Sequence, residues 1–283
     1  MEKSFGIIGG DGRQQQLAAL LRKDGAAVHT YRAGSIETKD DSLAEALKAD
    51  VVILPLPLSR GDGCLNCPAD PMPLDALFSR LRGDGRILAG QVRPEEQDKA
   101  AQYGLVLEDY FLREELTVAN AAATAEGAIR TAMEHTDRTL LGRRALVVGF
   151  GRIGKLLSFR LHGLGVTVAA SARKAADLAW IRAYGYEALS TNGLSGHLQG
   201  FDLVFNTVPA PLLDGRLLSQ LPPQCLCIDL ASRQGIDAAA AQDLGLRCIW
   251  ARGLPGRLTP QTAAETIREA VYHILSQERG VIS

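Results

Sequence analysis

The chain has 283 residues and a formal net charge of -1, with 31 Lys plus Arg against 32 Asp plus Glu. Its 46% content of hydrophobic residues is enough to bury a core, which excludes an intrinsically disordered chain. The near-zero charge argues against nucleic-acid binding, and no apolar run of the sequence approaches the ~18 residues of a membrane span. The length suggests two domains.

The five cysteines are odd in number and widely spaced, so we expect no disulfide framework. Cys64 and Cys67 have CxxC spacing, but no second pair and no histidine follows at ligand spacing. We therefore expect no metal site. The N-terminal residues enter a strand-like run without a basic leader, and we expect a cytoplasmic protein.

Short apolar runs alternate with helical segments in the first part of the chain, which is typical of a parallel sheet covered by helices. The predicted strands lie at residues 5–8, 27–31, 51–56, 86–89 and 105–108. The predicted helices lie at residues 14–23, 42–48 (capped near Asp41), 74–81 and 94–103. Residues 57–73 form a long loop rich in Pro, Gly and Asp, and loops of this length are often functional.

Ala, Glu and Thr dominate residues 113–137, which predicts one long connector helix. A second α/β unit follows at residues 141–255, and residues 260–278 predict a final helix. The expected fold class is α/β, with two Rossmann-like domains of parallel strands. The expected parts are an N-terminal domain on the substrate side at 1–120, the connector helix at 121–140, a nucleotide-binding domain at 141–257, and a C-terminal helix at 258–283 that returns toward the first domain.

A glycine fingerprint follows the first predicted strand of the second unit. Its sequence is Gly149-Phe150-Gly151-Arg152-Ile153-Gly154, between an apolar run and a predicted helix. In this context Gly149 allows a tight turn, Gly151 lets a pyrophosphate approach the backbone, and Gly154 lets helix and strand pack closely. We predict a dinucleotide site here that includes Arg152 and Ile153. A glycine-rich turn without a ligand is the alternative.

The end of the next predicted strand, at residues 166–170, bears on the choice between NAD and NADP. An NAD site usually places Asp or Glu there to bond the ribose 2′-hydroxyl, but this chain has Ser171, Ala172, Arg173 and Lys174. Ser171 can donate a hydrogen bond and Arg173 can pair with a phosphate, so we expect NADP, with NAD as the alternative. Arg173 and Lys174 could instead open a solvated helix.

Polar residues also follow two later predicted strands, at 203–205 and 225–228. Ligands of open parallel sheets collect beyond the carboxyl ends of the strands, so these residues are predicted to line the nicotinamide and substrate side. They are Asn206, Thr207, Val208, Pro209, Asp229 and Ser232. Turn formation is the alternative, because Asn, Asp and Ser are ordinary turn residues.

Several short motifs occur together in one order. They are Gly9-Gly10-Asp11-Gly12-Arg13-Gln14, Leu54-Pro55-Leu56-Pro57, Gly90-Gln91, Arg113-Glu114-Glu115-Leu116 with Asn120-Ala121, Thr124-Ala125-Glu126-Gly127-Ala128, the glycine fingerprint, Asn206-Thr207-Val208-Pro209-Ala210 and Gly253-Leu254-Pro255-Gly256. Through this order the chain resembles the family of dipicolinate synthase A subunits over nearly its full length. Ser232-Arg233-Gln234-Gly235 departs from the family, in which a proline and a glycine are expected after the serine.

The resemblance implies an NADP-linked dehydrogenase subunit in the mother cell of a sporulating bacterium. Such a polypeptide is part of an oligomer and acts with a flavoprotein-like B subunit. Together they turn dihydrodipicolinate, a late lysine-pathway intermediate, into pyridine-2,6-dicarboxylate. Aromatisation makes this step strongly downhill, so the site must above all position its substrate.

A small dicarboxylate substrate requires Arg side chains, whose planar forks match carboxylates. Arg13, in the loop after the first strand, is the leading candidate. Arg60 and Arg93 follow it, although a surface cation is the favoured interpretation of both.

The candidate proton acceptors are Asp11, Glu114, Glu115 and Glu126, of which the three glutamates lie near or on the connector. Charged residues on such a helix are mostly solvated, which is the alternative for each. The five histidines lie in or beside predicted helices and strands or in a polar loop, and we expect none to be catalytic.

Two other functions stay open. The lack of an obvious base favours a non-catalytic nucleotide-binding subunit whose partner performs the chemistry. A general NAD(P)-dependent 2-hydroxy-acid dehydrogenase would have a similar two-domain layout. Such enzymes, however, have a His after a late strand of the cofactor half, and this sequence has none there.

Overall fold

The computed structural model describes residues 3–34, 41–67 and 71–277. The chain divides into two compact units, of which the first comprises residues 1–119 and 256–283 and the second residues 120–255. Each unit contains a parallel sheet, which confirms the predicted α/β class. Residues 68–70 of the predicted long loop, and the predicted end of the final helix at 278, lie outside the described residues. Within the described ranges, no helix combines the length and apolar character needed to cross a bilayer.

The first unit contains a five-stranded sheet in the order β2-β1-β3-β4-β5. Its strands are β1 (Phe5–Ile8), β2 (Val28–Tyr31), β3 (Val51–Ile53), β4 (Arg86–Ala89) and β5 (Leu107–Asp109). The neighbours pair in parallel, so their carboxyl ends lie at one edge. In sheets of this order the strand sequence reverses direction between the first and third strands, and ligands bind at that switch point.

The helices of the first unit include segments from both ends of the chain. They are α1 (Gly12–Lys23), α2 (Leu43–Ala46), α3 (Leu74–Phe78), α4 (Pro94–Gln102), the start of α5 (Glu114–Glu134), the end of α10 (Leu254–Leu258) and α11 (Pro260–Ser276). Helix α11 packs on α1, and Leu17, Leu21, Ile267 and Val271 share one buried cluster. The last part of the chain therefore completes the core of the first unit.

Helix α2 begins at Leu43, one residue after its predicted first residue, Ser42. Ser42 is the N-cap, and its hydroxyl accepts a hydrogen bond from the backbone N–H of Glu45 at 3.2 Å. The Glu45 carboxylate accepts in turn from the backbone N–H of Ser42 at 2.8 Å, which completes a capping box. The cap thus lies one residue after Asp41, near which it was predicted, and Asp41 itself accepts from the backbone N–H of Thr30 at 3.0 Å.

Strand β3 ends at Ile53, three residues before the predicted end at residue 56. Leu54 still donates its backbone N–H to the carbonyl of Leu88 at 2.7 Å. Pro55 follows and has no N–H to donate, so the ladder stops there. The residues beyond it turn over the carboxyl edge of the sheet.

The second unit contains a six-stranded sheet in the order β11-β10-β9-β6-β7-β8. Its strands are β6 (Arg144–Val148), β7 (Thr167–Ala172), β8 (Glu187–Ser190), β9 (Leu203–Asn206), β10 (Leu226–Asp229) and β11 (Arg247–Trp250). Its helices are the rest of α5, α6 (Arg152–Gly163), α7 (Ala175–Ala183), α8 (Gly215–Leu218), α9 (Ala238–Asp243) and the start of α10. Counted within the unit, this is the 3-2-1-4-5-6 order of the dinucleotide-binding Rossmann fold, with its switch point between β6 and β9.

Three polar residues that were predicted to follow strands are instead part of them. Ser171 lies within β7, and Asn206 and Asp229 are the last residues of β9 and β10. All three are fully buried, and each has a hydrogen-bond partner inside the protein. These partners offset the free-energy cost of burying the polar groups, so the strands extend further than an apolar pattern indicates.

Candidate functional site

The loop after β6 holds three glycines with three different surroundings. Gly149 has a φ of +96°, and a Cβ on it would overlap the side chain of Thr207. A Cβ on Gly154 would overlap the carbonyl of Gly149, so α6 packs directly against the loop. No described atom lies within 4 Å of where a Cβ of Gly151 would be. The backbone is therefore open at Gly151 alone, as a pyrophosphate site requires.

The N-terminus of α6 provides the second part of this site. The N-cap Gly151 has no side chain to cap the helix, and the first turn, all of it described, contains no acidic residue. The first N–H groups of a helix have no partner within the helix, and the helix dipole favours an anion there. Arg152 is exposed and Ile153 is half-buried beside these groups. The arrangement fits a phosphate group of a dinucleotide.

The end of β7 presents cations to the solvent. Ser171 is buried, and its hydroxyl accepts a hydrogen bond from the Thr191 hydroxyl at 3.2 Å. Arg173 and Lys174 follow the strand and are exposed. Cationic side chains at this edge can meet a 2′-phosphate, whereas Ser171 is fully buried within the strand.

Asn206 and Asp229 form a buried pair at the ends of β9 and β10. The Asn206 amide donates to Oδ1 of Asp229 at 2.9 Å and to the carbonyl of Val208 at 3.0 Å. Asp229 also accepts from the backbone N–H groups of Ala231, Gly235 and Ile236, at 3.0, 2.7 and 3.0 Å. Four N–H donors satisfy this carboxylate. The pair therefore fixes the shape of the loops after both strands.

The other predicted residues of these loops differ in exposure. Thr207 is half-buried and donates its hydroxyl to the carbonyl of Val148 at 2.9 Å, whereas Pro209 and Ser232 are exposed. A Cβ on Gly235 would lie 2.7 Å from the carbonyl oxygen of Val208. Close backbone packing thus requires a glycine at the end of the segment that departs from the family motif.

An ion pair lies at the start of α1, directly after β1. Asp11 is half-buried and is the N-cap of α1, and Arg13, which was predicted to lie in the loop, is in the first turn of the helix. Arg13 is 5% exposed, and its Nε and Nη2 each donate to an Asp11 carboxylate oxygen at 2.9 Å. Nη2 also donates to the carbonyl of Leu56, after β3. Burial by itself would raise the pKa of the Asp11 carboxyl. The hydrogen bonds and charge of Arg13, together with the charge of Arg60, nevertheless hold that pKa below its usual value.

Motifs that are distant in the sequence meet around this pair. A Cβ on Gly256 would lie 2.5 Å from Oδ2 of Asp11 and 2.9 Å from Nε of Arg13. Only a residue without a side chain leaves the pair undisturbed, which explains the last glycine of the Gly253–Gly256 motif. Gly90, after β4, accepts from the backbone N–H of Leu58 at 2.8 Å. The loops after β1, β3 and β4 are thus held together at the carboxyl edge.

The other two candidate arginines differ in their partners. Nη2 of Arg93 donates to the carbonyl of Ser59 at 3.1 Å, and its Nη1 lies 3.9 and 3.8 Å from the carboxylates of Glu95 and Glu96. Nε of Arg60 donates to Oδ1 of Asn66 at 2.9 Å. Sequence reasoning missed Asn66. Its position inside the CxxC segment of the long loop was a signal, but the sequence gives no sign of which atoms it contacts.

Two of the three glutamates predicted as proton acceptors, Glu115 and Glu126, form ion pairs with arginines. Glu115 accepts from Arg113 at 2.7 Å and lies 3.6 Å from His273. The hydrogen bond from Arg113 is the main cause that lowers the pKa of Glu115 to about 2. Glu126 pairs with Arg160 at 3.1 Å, about 12 Å along α6 from its first residue. The catalytic roles of Glu115 and Glu126 stay predictions.

No three His, Cys, Asp or Glu side chains of the described residues cluster as metal ligands.

The class of protein is defined by three features, which are the Rossmann strand order, the glycine loop and the uncapped start of α6. The chain is a two-unit α/β protein with the fold of the Rossmann dehydrogenases. The apo-structure of D-lactate dehydrogenase from Escherichia coli shares this fold with a TM-score of 0.61 and 15% identity, over 97% of both chains.

Residues 4–111 match the family model of the N-terminal domain of the dipicolinate synthase A subunit. The chain is 30% identical to the dipicolinate synthase A subunit of Bacillus subtilis over 285 residues, covering 96% of this chain and 95% of that protein. The crystal structure of the dipicolinate synthase A subunit from Bacillus halodurans has a TM-score of 0.84 and 26% identity, over 96% and 97% of the two chains. The chain belongs to the family of dipicolinate synthase A subunits, which confirms the resemblance drawn from the order of its motifs.

The Asp11–Arg13 pair predicts a pH dependence of stability. The pKa of Asp11 in the folded protein lies below the ordinary value of 3.8. Its stabilising contribution is therefore complete above the unfolded-state pKa and is lost as pH falls through the folded-state pKa. Asp11→Asn keeps a residue type that caps helices well but removes the charge. We expect it to lower the free energy of unfolding at about pH 6, and the difference from wild type to shrink toward about pH 3.

Urea unfolding across this pH range measures the effect. Asp98→Asn is the control, because Asp98 is exposed on α4. A difference between wild type and Asp11→Asn that stays constant with pH would contradict the ion-pair interpretation.

Proposed function

We propose that the chain is the NADP-dependent oxidoreductase subunit of dipicolinate synthase and converts dihydrodipicolinate to pyridine-2,6-dicarboxylate. The substrate loses a hydride and a proton, and its ring becomes aromatic. Family membership supports the reaction. The glycine loop supports the nucleotide, because Gly151 alone of its three glycines adjoins open space. The expected setting is the mother cell of a sporulating bacterium, and the expected partner in an oligomer is the flavoprotein-like B subunit.

The second unit would hold the nucleotide, whose nicotinamide ring accepts the hydride when bound. Gly151 and the first N–H groups of α6 would bind the phosphates, and Gly154 keeps α6 against the loop. Asn206 and Asp229 hold the loops after β9 and β10 rigid. In our assignment, the exposed parts of these loops, which include Pro209 and Ser232, line the nicotinamide side.

The first unit would bind the dicarboxylate at the carboxyl edge of its sheet, where arginines follow β1 and β3. Asp11 is our candidate to accept the proton. Its lowered pKa makes it a weak base. A weak base suffices when aromatisation supplies the driving force, because the required proton affinity of the acceptor falls.

One observation favours a second candidate function. Three of the four predicted proton acceptors, Asp11, Glu115 and Glu126, each pair with an arginine. Charges committed to such pairs are poor proton acceptors, which supports a nucleotide-binding subunit whose partner performs the chemistry.

An absorbance assay separates the two candidates. The purified chain is mixed with fresh dihydrodipicolinate precursor and NADP, with and without the B subunit. We expect reduced nicotinamide and the pyridinedicarboxylate band to appear together. If the B subunit makes the pyridine band grow while no NADPH forms, the chain is not the dehydrogenase and the second candidate holds.

Gly151→Ala tests the nucleotide site without disturbing the fold. The new methyl group meets no described atom, so we expect an unchanged thermal midpoint in the absence of nucleotide. It would occupy the space of the pyrophosphate, and we expect NADPH affinity to fall at least about tenfold, or about 1.4 kcal/mol, in a fluorescence titration.

Gly163→Ala is the matched control, because Gly163 ends the same helix and its Cβ would also meet no described atom. This control should bind NADPH as wild type does. Equal affinity of Gly151→Ala and Gly163→Ala would contradict the assigned site.

Arg173→Ala tests the preference for NADP. An arginine at the end of β7 can form charge-assisted hydrogen bonds with a 2′-phosphate, which NADH lacks. We expect the variant to bind NADPH roughly tenfold more weakly and NADH unchanged, which corresponds to about 1.4 kcal/mol. Arg182→Ala, an exposed arginine later on α7, is the control. A parallel loss of both nucleotides would count against a contact with the 2′-phosphate.

A further inference from the structure

We propose that Arg60, oriented by Asn66, is the residue that binds a carboxylate of the substrate at the switch point between β1 and β3. Arg13, the leading candidate from the sequence, then has a structural role beside this binding position and does not bind the substrate itself. The identity of the substrate rests on the proposed function. The anion-binding role of Arg60 rests on the charges and contacts of the first unit.

The partners of the three arginines decide which one can receive a ligand. Arg13 is buried, and Asp11 neutralises it through two hydrogen bonds. Arg93 lies beside the carboxylates of Glu95 and Glu96. Arg60 is exposed, and the partner of its Nε is a neutral amide. Arg60 therefore retains a positive charge that neither of the other two arginines offers.

The position of this charge is also defined. Nε of Arg60 donates to Asn66, and the backbone carbonyl of Asn66 accepts from the N–H of Gly10, the residue before Asp11. The segments that carry Arg60 and the Asp11–Arg13 pair therefore contact each other, and the charge of Arg60 also contributes to the lowered pKa of Asp11. Since that pair is neutral as a whole, it does not repel an approaching carboxylate. Arg60 follows β3 and the pair follows β1, which are the two strands that flank the switch point. Ligands of this type of sheet bind there.

Asn66 holds the guanidinium in place. It is 6% exposed, its Nδ2 donates to the carbonyl of Pro57 at 3.1 Å, and its backbone N–H donates to the carbonyl of Leu58 at 2.8 Å. The backbone carbonyl of Asn66 accepts from the backbone N–H of Gly10 at 2.7 Å. Asn66 is thus tied to the loops after both β1 and β3. Its Oδ1 engages Nε of Arg60, which leaves the terminal Nη1 and Nη2 groups for a carboxylate.

The chemistry of both side chains is specific. An amide oxygen orients the guanidinium and adds no charge, whereas a carboxylate at position 66 would neutralise it and compete with the ligand. A lysine at position 60 would carry the charge but has no Nε–H for Asn66 and no planar fork. The arrangement therefore selects a planar carboxylate, and Asn66 is a positioning residue.

Isothermal titration of the full chain with pyridine-2,6-dicarboxylate tests the anion site directly. We expect Arg60→Ala to raise the Kd at least about tenfold, and Arg60→Lys to lie between Arg60→Ala and wild type. Asn66→Asp should weaken binding as strongly as Arg60→Ala. Arg80→Ala, which removes an exposed arginine of the same unit, should leave the Kd unchanged. Unchanged NADPH affinity and thermal midpoint in Arg60→Ala show that the fold is intact.

Steady-state kinetics with NADP and the B subunit provides the second test. Arg60→Ala should raise the KM for dihydrodipicolinate at least about tenfold, with a smaller change in kcat, because the anchor acts on binding. Wild-type KM and Kd in Arg60→Ala would overturn the assignment, as would a failure of wild type to bind the dicarboxylate. Loss of dicarboxylate binding in Arg60→Ala, together with no dehydrogenase activity in wild type, would leave the anion site standing and remove the proposed function.

Discussion

Parallel strand pairing is the constraint from which the candidate sites of this protein follow. In both sheets the strands run in one direction, so each sheet collects all its carboxyl-end loops at a single edge. Where the strand order reverses, ligands of this type of sheet bind beside the loops that follow the two flanking strands. In the second unit these loops hold Gly149 and Thr207. In the first unit the corresponding residues are Arg13 and Arg60. Chemistry-bearing residues that are distant in sequence come together there because of topology.

Buried polar groups beside the two switch points are compensated in different ways. In the second unit, Asp229 is a fully buried carboxylate that is satisfied by four N–H donors, one of which belongs to Asn206. In the first unit, the buried Arg13 has an opposite charge, Asp11, on the same turn. Both solutions compensate charge locally, which low-dielectric surroundings demand. The polar groups that a ligand can reach are then the exposed ones, such as the backbone at Gly151 and the side chain of Arg60.

The features that could be predicted are those that depend on residues close together in sequence. The glycine fingerprint predicted the turn at Gly149, the open backbone at Gly151 and the close packing at Gly154, because all three lie within one short loop and the start of its helix. Strand ends were less predictable. Ser171, Asn206 and Asp229 look like the start of loops, yet their partners lie on other strands or loops, at sequence separations that periodicity does not register. Arg60 resembles an ordinary surface cation for the same reason. Its significance depends on Asn66, which Gly10 and Leu58 hold in place.

The discontinuous make-up of the first unit has a consequence for how the chain is made. Helix α11 covers the apolar face of α1, and Gly256 lies against Asp11 and Arg13. Both segments follow the whole of the second unit in sequence. During synthesis, which proceeds from the N-terminus, residues 3–119 leave the ribosome with that apolar face of α1 uncovered. The second unit, by contrast, is one continuous segment, and all of it is synthesised before the last residues of the first unit. The first unit therefore cannot complete its core until the residues of α11, which follow the second unit in sequence, have been synthesised.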